Sequence, residues 1–137
     1  MPFHRRAVYN PAVFRQGPIS QLIHGGIEYA AGVLFIAAPF IFDFDDGAAT
    51  AVSIVVGVLV IFIAAVTNGP TSLINSLPVS VHIVLDYALA ALLVAAPFLF
   101  GFSDETNPTV FFIVLGVAHL LITVATSFTR PGPSVQA

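Results

Sequence analysis

Apolar residues form four long blocks, at 20–42, 48–67, about 77–102 and 108–128, separated by short polar segments. Each block has about 20 residues or slightly more, the length of α-helix that crosses the hydrocarbon core of a bilayer. The second and fourth blocks have almost no polar face, which argues against a soluble helical bundle. The pattern therefore predicts an all-α fold, a four-transmembrane-helix bundle.

Composition supports this interpretation. Of 137 residues, 58% are apolar and 8% are charged, with a mean hydropathy of +0.99, whereas soluble domains carry about 25% charged residues. Outside the helical blocks we expect an N-terminal arm over 1–18, a linker over 70–76 and a tail over 130–137. Pro39 directly after Ala37 and Ala38 is a poor context for signal cleavage, so we expect the first span to be retained.

The few charges predict an orientation. The four arginines, Arg5, Arg6, Arg15 and Arg130, fall on one side of the four-span topology, and the two acidic turns, at 43–47 and 103–107, fall on the other. Lys and Arg are retained on the cytoplasmic side. We therefore expect a multi-pass protein of the cell membrane, a prokaryotic inner membrane, with both termini cytoplasmic. The sequence has no basic patch of the kind that binds nucleic acid, so we do not expect nucleic acid as a partner.

The chain also contains an internal repeat. A shift of 58 positions superposes His24 on His82, Glu28 on Asp86, Tyr29 on Tyr87, and Ala38-Pro39-Phe40 on Ala96-Pro97-Phe98. With one more residue in the second acidic turn, Gly57 falls on Gly116 and Thr67 on Thr126. The spans therefore form two tandem helical-hairpin repeats, at 19–69 and 77–129. Because each repeat has two spans, both enter the membrane in the same direction, and equivalent residues share a depth.

Two features of each repeat predict packing. Pro39 and Pro97 lie late in the first and third spans, where each removes one helical hydrogen bond and bends its helix. The phenylalanines after each proline are expected to face lipid or the interface. Small residues at helical spacing, Gly26 with Ala30, Ser53 with Gly57 and Ala91 with Ala95, suit close contacts between helices.

At 82–103, and more weakly at 24–45, the chain resembles the SPW-repeat family of small integral membrane proteins. The unit of that family is a two-helix hairpin with a Ser-Pro-Trp motif late in its first helix. Here Ala-Pro-Phe stands in place of Ser-Pro-Trp in both copies, and Gly101-Phe102 follows the second copy. The resemblance implies the hairpin fold, and it implies no activity and no catalytic residue.

Ionisable residues inside spans are costly and mark candidate functional sites. The spacing of His24 with Glu28, and of His82 with Asp86, places each imidazole and carboxylate on one helical face. We place the histidines near the cytoplasmic interface and the carboxylates about one turn deeper. Tyr29 and Tyr87 follow the carboxylates, as interfacial anchors or as their partners. These six residues form the candidate polar cluster.

Three functions remain open for this cluster. In the first, the pairs satisfy one another and hold the spans together in a structural or accessory subunit with a protein partner or a second copy. In the second, the two imidazoles are axial haem ligands, or the pairs hold a divalent metal ion. In the third, Glu28 or Asp86 carries protons in a small transporter. His119 has Val60 as its repeat counterpart, and we expect it to pack with one hydrogen bond.

No phosphate-binding loop, nucleophile elbow or zinc-protease motif occurs in the sequence. The absence of cysteine excludes disulfides and thiolate ligands. We therefore predict no catalytic residues and no enzyme activity, and we expect a membrane protein in contact with lipids whose main role is structural or accessory.

Overall fold

The protein is a bundle of four long helices. A computed structural model describes residues 17–128. The elements in chain order are β1 (Ile19–Ser20), α1 (Gln21–Ile41), α2 (Gly47–Val66), α3 (Val79–Leu99), α4 (Thr106–Ala125) and β2 (Thr126–Ser127). All four helices are long and apolar enough to cross a membrane. The all-α, four-span prediction is confirmed, and the protein is a multi-pass membrane protein.

Local sequence signals fix several helix ends. The Ser20 hydroxyl caps α1 by accepting a hydrogen bond from the backbone N–H of Ile23 at 3.2 Å, and the Asp46 carboxylate caps α2 in the same way. The third helix ends at Leu99, before the predicted end near Phe102, because the chain turns at Gly101, whose φ of +76° suits glycine. Pro108 is the third residue of α4 rather than the predicted first, and α4 ends at Ala125 because the next residues are extended.

The repeat seen in the sequence is also a repeat in space. The third helix begins and ends 58 residues after the first, from Gln21 to Val79 and from Ile41 to Leu99. Ile19 pairs in parallel with Thr126, and the equivalent Leu77 pairs in parallel with Thr67. The extended start of each repeat thus lies beside the last residues of the other repeat, and the two repeats close on each other.

Within each repeat, a glycine lets the two helices approach closely. A Cβ added at Gly57 would lie 2.5 Å from the carbonyl oxygen of Gly32, and one added at Gly32 would lie 2.9 Å from the carbonyl oxygen of Gly57. Ser53, one turn before Gly57, donates a 2.5 Å hydrogen bond to the carbonyl oxygen of Phe35. The predicted close contact at Ser53 and Gly57 is confirmed. Gly26 faces open space, so its predicted helix contact is wrong.

Between the repeats, aromatic packing fills the half of the bundle near the acidic turns. The ring of Phe35 lies 5.0 Å from that of Phe111 and 5.6 Å from that of Phe112, centroid to centroid. At the end of the bundle that carries the acidic turns, the Glu105 carboxylate accepts hydrogen bonds from the backbone N–H groups of Asp45 and Asp46, at 2.5 and 2.9 Å. The two acidic turns therefore join the hairpins to each other.

The Ala-Pro-Phe segments have the same environment in both repeats. Ala38 and Ala96 are fully buried, whereas Phe40 and Phe98 are 72% and 66% exposed, which fits a lipid-facing ring. The prediction of outward-facing phenylalanines fails at Phe102, which is buried against Phe112. Pro39 and Pro97 lie inside α1 and α3, and the bend they should cause stays a prediction.

The basis of the predicted orientation lies outside the described residues. All four arginines fall in 1–16 or 129–137, as do most of the N-terminal arm and the whole C-terminal tail. The two ends of the described range meet at one end of the bundle, where a 2.7 Å hydrogen bond joins the backbone N–H of Gly17 to the hydroxyl of Ser127.

The glycine contact leads to a matched pair of stability predictions. Gly57→Ala should destabilise the protein by about 1–3 kcal/mol, because the new methyl group overlaps the backbone of α1. Gly26→Ala should be neutral or slightly stabilising, because it adds helix propensity in open space. Thermal unfolding in one detergent would compare them, and equal midpoints would contradict the helix contact at Gly57.

Candidate metal centre

Two helix starts bring the four predicted ionisable residues together. His24 and Glu28 lie one turn apart near the start of α1, and His82 and Asp86 lie at the equivalent places in α3. Because the repeats are parallel, both pairs have the same depth and face the bundle interior. All four side chains are buried, with at most 6% of any residue exposed.

The ligand atoms of these residues form a closed ring of nitrogen and oxygen contacts. The His24 Nε2 atom lies 3.2 Å from Asp86 Oδ2 and 3.6 Å from Glu28 Oε1. The His82 Nε2 atom lies 3.2 Å from Glu28 Oε1 and 3.3 Å from Asp86 Oδ2. Each carboxylate oxygen thus faces the imidazoles of both repeats. The four atoms all lie within 4.8 Å of one another.

Two threonines fix which nitrogen of each imidazole faces this ring. The Thr126 hydroxyl lies 2.8 Å from His24 Nδ1 and donates its own proton to the carbonyl oxygen of Ile122 at 2.6 Å. Because that proton is already committed, the Thr126 oxygen must accept the proton on Nδ1. Thr67 holds His82 Nδ1 identically, at 2.7 Å. Each threonine comes from the repeat that does not contain its histidine.

It follows that the Nε2 atoms need a cation between them and the carboxylates. With Nδ1 protonated, a neutral imidazole presents the Nε2 lone pair, and this lone pair faces carboxylate oxygens. The His24 Nε2 and Asp86 Oδ2 atoms are buried without a hydrogen-bond partner. Two buried carboxylates without a compensating charge would be strongly destabilising. Protons on both imidazoles or one metal ion would supply the two positive charges.

The geometry fits a small metal ion. Metal–ligand bonds of about 2.0–2.2 Å place adjacent ligand atoms roughly 3.0–3.4 Å apart, close to the four nitrogen–oxygen distances of 3.2–3.6 Å found here. The threonines act as the outer partners that metal-binding imidazoles usually have on their second nitrogen.

Haem does not fit this site. Cavities that hold ligands of such size have volumes of several hundred Å³, whereas the two cavities that touch His24 have about 10 and 60 Å³. The carboxylates also lie against both imidazoles, where a porphyrin would have to lie. Of the two cofactors considered from the sequence, the donor set and the available space favour the metal ion.

The cluster lies between two different environments. On one side is the 10 Å³ cavity, lined partly by polar residues of the linker and helix starts, including Gln21 and Thr71. On the other side is the 60 Å³ cavity, whose lining apart from the histidines and Glu28 is apolar. Beyond it lies the aromatic packing around Phe35 and Phe112. Within residues 17–128, polar surroundings therefore reach the cluster from one end of the bundle.

The other polar residues named from the sequence have separate places. His119 lies beside the cluster, with its Nε2 atom 3.5 Å from Asp86 Oδ1, so it packs against a carboxylate. The Tyr29 hydroxyl donates to the carbonyl oxygen of Thr71 at 2.9 Å and ties α1 to the linker. Tyr87 is 37% exposed at the bundle surface. The ligand ring therefore contains four of the six cluster residues and neither tyrosine.

Sequence reasoning missed the two threonines as site residues. Their equivalence in the repeat was visible, because Thr67 and Thr126 superpose at the ends of the second and fourth spans. The sequence did not indicate their contact with the histidines, because each threonine contacts the histidine of the other repeat. The ring of Phe128 lies edge-on to that of His24, with 5.1 Å between the ring centroids. Nothing in the sequence indicates this contact.

Comparison with known proteins agrees with the hairpin architecture. The family model of the SPW repeat domain matches residues 22–126, which include all four helices almost completely and both histidine and carboxylate pairs. No curated protein and no solved structure matches this chain. The match covers well over half of the sequence, and the chain therefore belongs to the SPW repeat domain family.

Proposed function

We propose that this protein is a small, non-enzymatic accessory membrane protein that holds one divalent transition-metal ion between its two repeats. The observation that carries the proposal is the ring of four ligand atoms, in which threonine hydrogen bonds on Nδ1 leave both Nε2 atoms facing carboxylate oxygens. One ion at the centre of the ring would satisfy all four atoms together.

Charge balance supports a divalent ion. Two carboxylates and two neutral imidazoles carry a charge of minus two, which one divalent cation neutralises. Neutrality matters because net charge inside a membrane protein is costly. Imidazole and carboxylate ligands suit Zn²⁺, Fe²⁺, Mn²⁺ and Co²⁺. Each repeat supplies one histidine and one carboxylate, so the ion would also join the repeats.

The surroundings favour a resident ion over a transported one. An ion crossing the membrane would have to pass from the cluster through the apolar cavity and the packed rings of Phe35, Phe111 and Phe112. Bare ions do not enter such surroundings without polar partners. Proton-coupled transport, the other function considered for Glu28 and Asp86, therefore has less support than stable binding.

The first prediction is stoichiometric metal binding. Protein purified in mild detergent and stripped with a chelator should bind one Zn²⁺ or Co²⁺ per chain, measured by calorimetry and elemental analysis. Glu28→Gln and Asp86→Asn should each abolish tight binding, because they remove a charged ligand and keep the side-chain size. Asp104→Asn, which removes an acidic group in an exposed turn, is the control and should bind like the wild type.

Two results would contradict the metal. If the stripped protein bound no divalent ion, the ring would be held by two imidazolium groups. If Asp104→Asn lost binding as strongly as Asp86→Asn, the ion would lie on the acidic turns. Tetrahedral Co²⁺ gives intense visible absorption, so the spectrum of the cobalt protein would separate the cluster from a hydrated surface site.

The second prediction concerns the threonines. Thr67→Val and Thr126→Val should each weaken metal binding by about 10–100-fold, as is typical when the outer partner of a ligand is removed. Thr67→Ser and Thr126→Ser keep the hydroxyl and should restore most of the affinity. Competition with a chromophoric chelator would measure it. Equal affinity in the valine and serine variants would mean that the threonines do not orient the imidazoles.

The third prediction concerns assembly and orientation. We propose a protein partner or a second copy, because the described chain consists of four spans and short turns. We also place both termini in the cytoplasm, because the arginines flank the spans. A C-terminal tag should be cleaved by protease in inside-out vesicles and protected in spheroplasts. Mild purification through that tag should yield a complex. A monomer without a partner would contradict the proposed assembly. Cleavage of the tag in spheroplasts and its protection in inside-out vesicles would contradict the cytoplasmic termini.

A further inference from the structure

A groove opens on the surface of the bundle between α1 and α4, next to the acidic turns. Its volume is about 560 Å³, which lies within the range of sites for small ligands. Phe42 of α1 and Val110 and Val114 of α4 line it, and they are 42%, 54% and 56% exposed. Because α1 and α4 are both apolar helices of membrane-span length, the groove opens toward lipid.

The length of the groove matches one leaflet of a bilayer. Along α1 its lining runs from Leu34 to Phe42, which is about 12 Å along the helix axis, and half of the hydrocarbon core is about 15 Å thick. The polar lining residues are confined to the end near the acidic turns, and these are Asp43, Thr106 and Asn107. The groove is therefore apolar along the depth of an acyl chain and polar where a headgroup begins.

The side chains of the groove suit an acyl chain better than a helix of a partner or of a second copy. Close contacts between membrane helices depend on small residues, whereas the described residues that line the groove include no Gly, Ala or Ser. Large rings form part of the lining instead, with the ring of Phe111 5.6 Å from that of Phe42, centroid to centroid. A thin, flexible chain follows the space between such side chains, while a helix about 10–12 Å wide does not enter it.

The charge at the polar end of the groove favours a cationic headgroup. Five acidic residues lie in the two acidic turns, and these are Asp43, Asp45, Asp46, Asp104 and Glu105. Residues 17–128 contain no Lys or Arg to neutralise them. Of the five, Asp43 lines the groove. An anionic headgroup would be repelled there, whereas a primary ammonium group neutralises the carboxylate and donates charge-assisted hydrogen bonds to it.

The fold of the turn does not explain the carboxylate at position 43. The equivalent residue of the second repeat is Gly101, and both residues have left-handed backbone, with φ of +49° and +76°. Glycine adopts this conformation freely, and Asp and Asn tolerate it better than other residues. Asn107, which also lines the groove, has Ala48 as its equivalent. The polar end of the groove thus belongs to one side of the bundle and is not part of the duplicated design.

We propose that this groove binds one phospholipid whose headgroup carries a primary ammonium group. One acyl chain lies between α1 and α4, and the ammonium group pairs with Asp43. The lipid completes the wall of the bundle where the two helices leave the groove open. The inference is independent of the metal centre, which lies near the starts of α1 and α3.

The test uses the full-length protein in mild detergent. It is titrated with phospholipids that have identical acyl chains and carry an ethanolamine, choline or glycerol headgroup, and native mass spectrometry counts the lipids that each chain retains. We expect one retained ethanolamine lipid. The choline lipid should bind roughly two- to tenfold more weakly, because its quaternary ammonium group has no hydrogen to donate. The anionic glycerol lipid should bind most weakly.

Two variants with matched controls locate the lipid. Asp43→Asn keeps a residue that tolerates the left-handed turn, and it should reduce ethanolamine binding to the level of choline. Asp45→Asn removes a charge from the same turn outside the groove and should keep the preference. Val114→Phe places a ring in the groove and should lose the retained lipid. Val55→Phe, at the equivalent and 64% exposed position of the first repeat, should retain it.

Several results would overturn the inference. The first is equal retention of the three lipids by the wild type, and the second is an unchanged preference in Asp43→Asn. Equal loss of lipid in Val114→Phe and Val55→Phe would place the lipid outside the groove. Dissociation of a dimer or complex by Val114→Phe, without a change in lipid, would make the groove a protein interface. Chelator-stripped protein should give the same lipid binding, so failure of the metal centre would leave this inference intact.

Discussion

The structure depends on the neutralisation of two carboxylates inside an apolar bundle. Glu28 and Asp86 are buried, and one uncompensated charge there would cost several kcal/mol. The imidazoles of His24 and His82 are their immediate neighbours. Because each carboxylate faces both imidazoles, the cluster is satisfied only when the starts of α1 and α3 face each other in the bundle interior. The positive charge that completes it therefore also fixes how the two hairpins meet.

Duplication explains why the cluster is built as it is. A single hairpin supplies one imidazole, one carboxylate and one threonine, which are too few for a closed ligand set. Two parallel copies double this set at one depth, and the crossed threonine contacts make each copy complete the other. His119 breaks the symmetry because Val60 stands in its place in the first repeat. The site is therefore pseudo-symmetric, with a third imidazole beside Asp86 and none beside Glu28 from the equivalent position.

The remaining contacts hold the hairpins on either side of this cluster. Glu105 joins the acidic turns at one end, and the parallel pairings of Ile19 with Thr126 and of Leu77 with Thr67 join the repeats at the other. Between them, close packing at Gly32 and Gly57 and the rings around Phe35 fill the interior. The outward positions, including Phe40 and Phe98, are apolar and suit lipid.

The sequence by itself determined the four spans, the repeat, the cap at Ser20 and the helical faces that carry the histidines and carboxylates. These features depend on hydropathy, on residue spacing and on contacts between residues a few positions apart, and all of them can be predicted from the sequence alone. Only the tertiary structure decided that Phe102 is buried, that Tyr29 binds the linker, and that Thr67 and Thr126 hold the histidines of the opposite repeat. Those facts depend on contacts between residues far apart in sequence, where the direction of a side chain is set by how the hairpins close and not by the residues beside it.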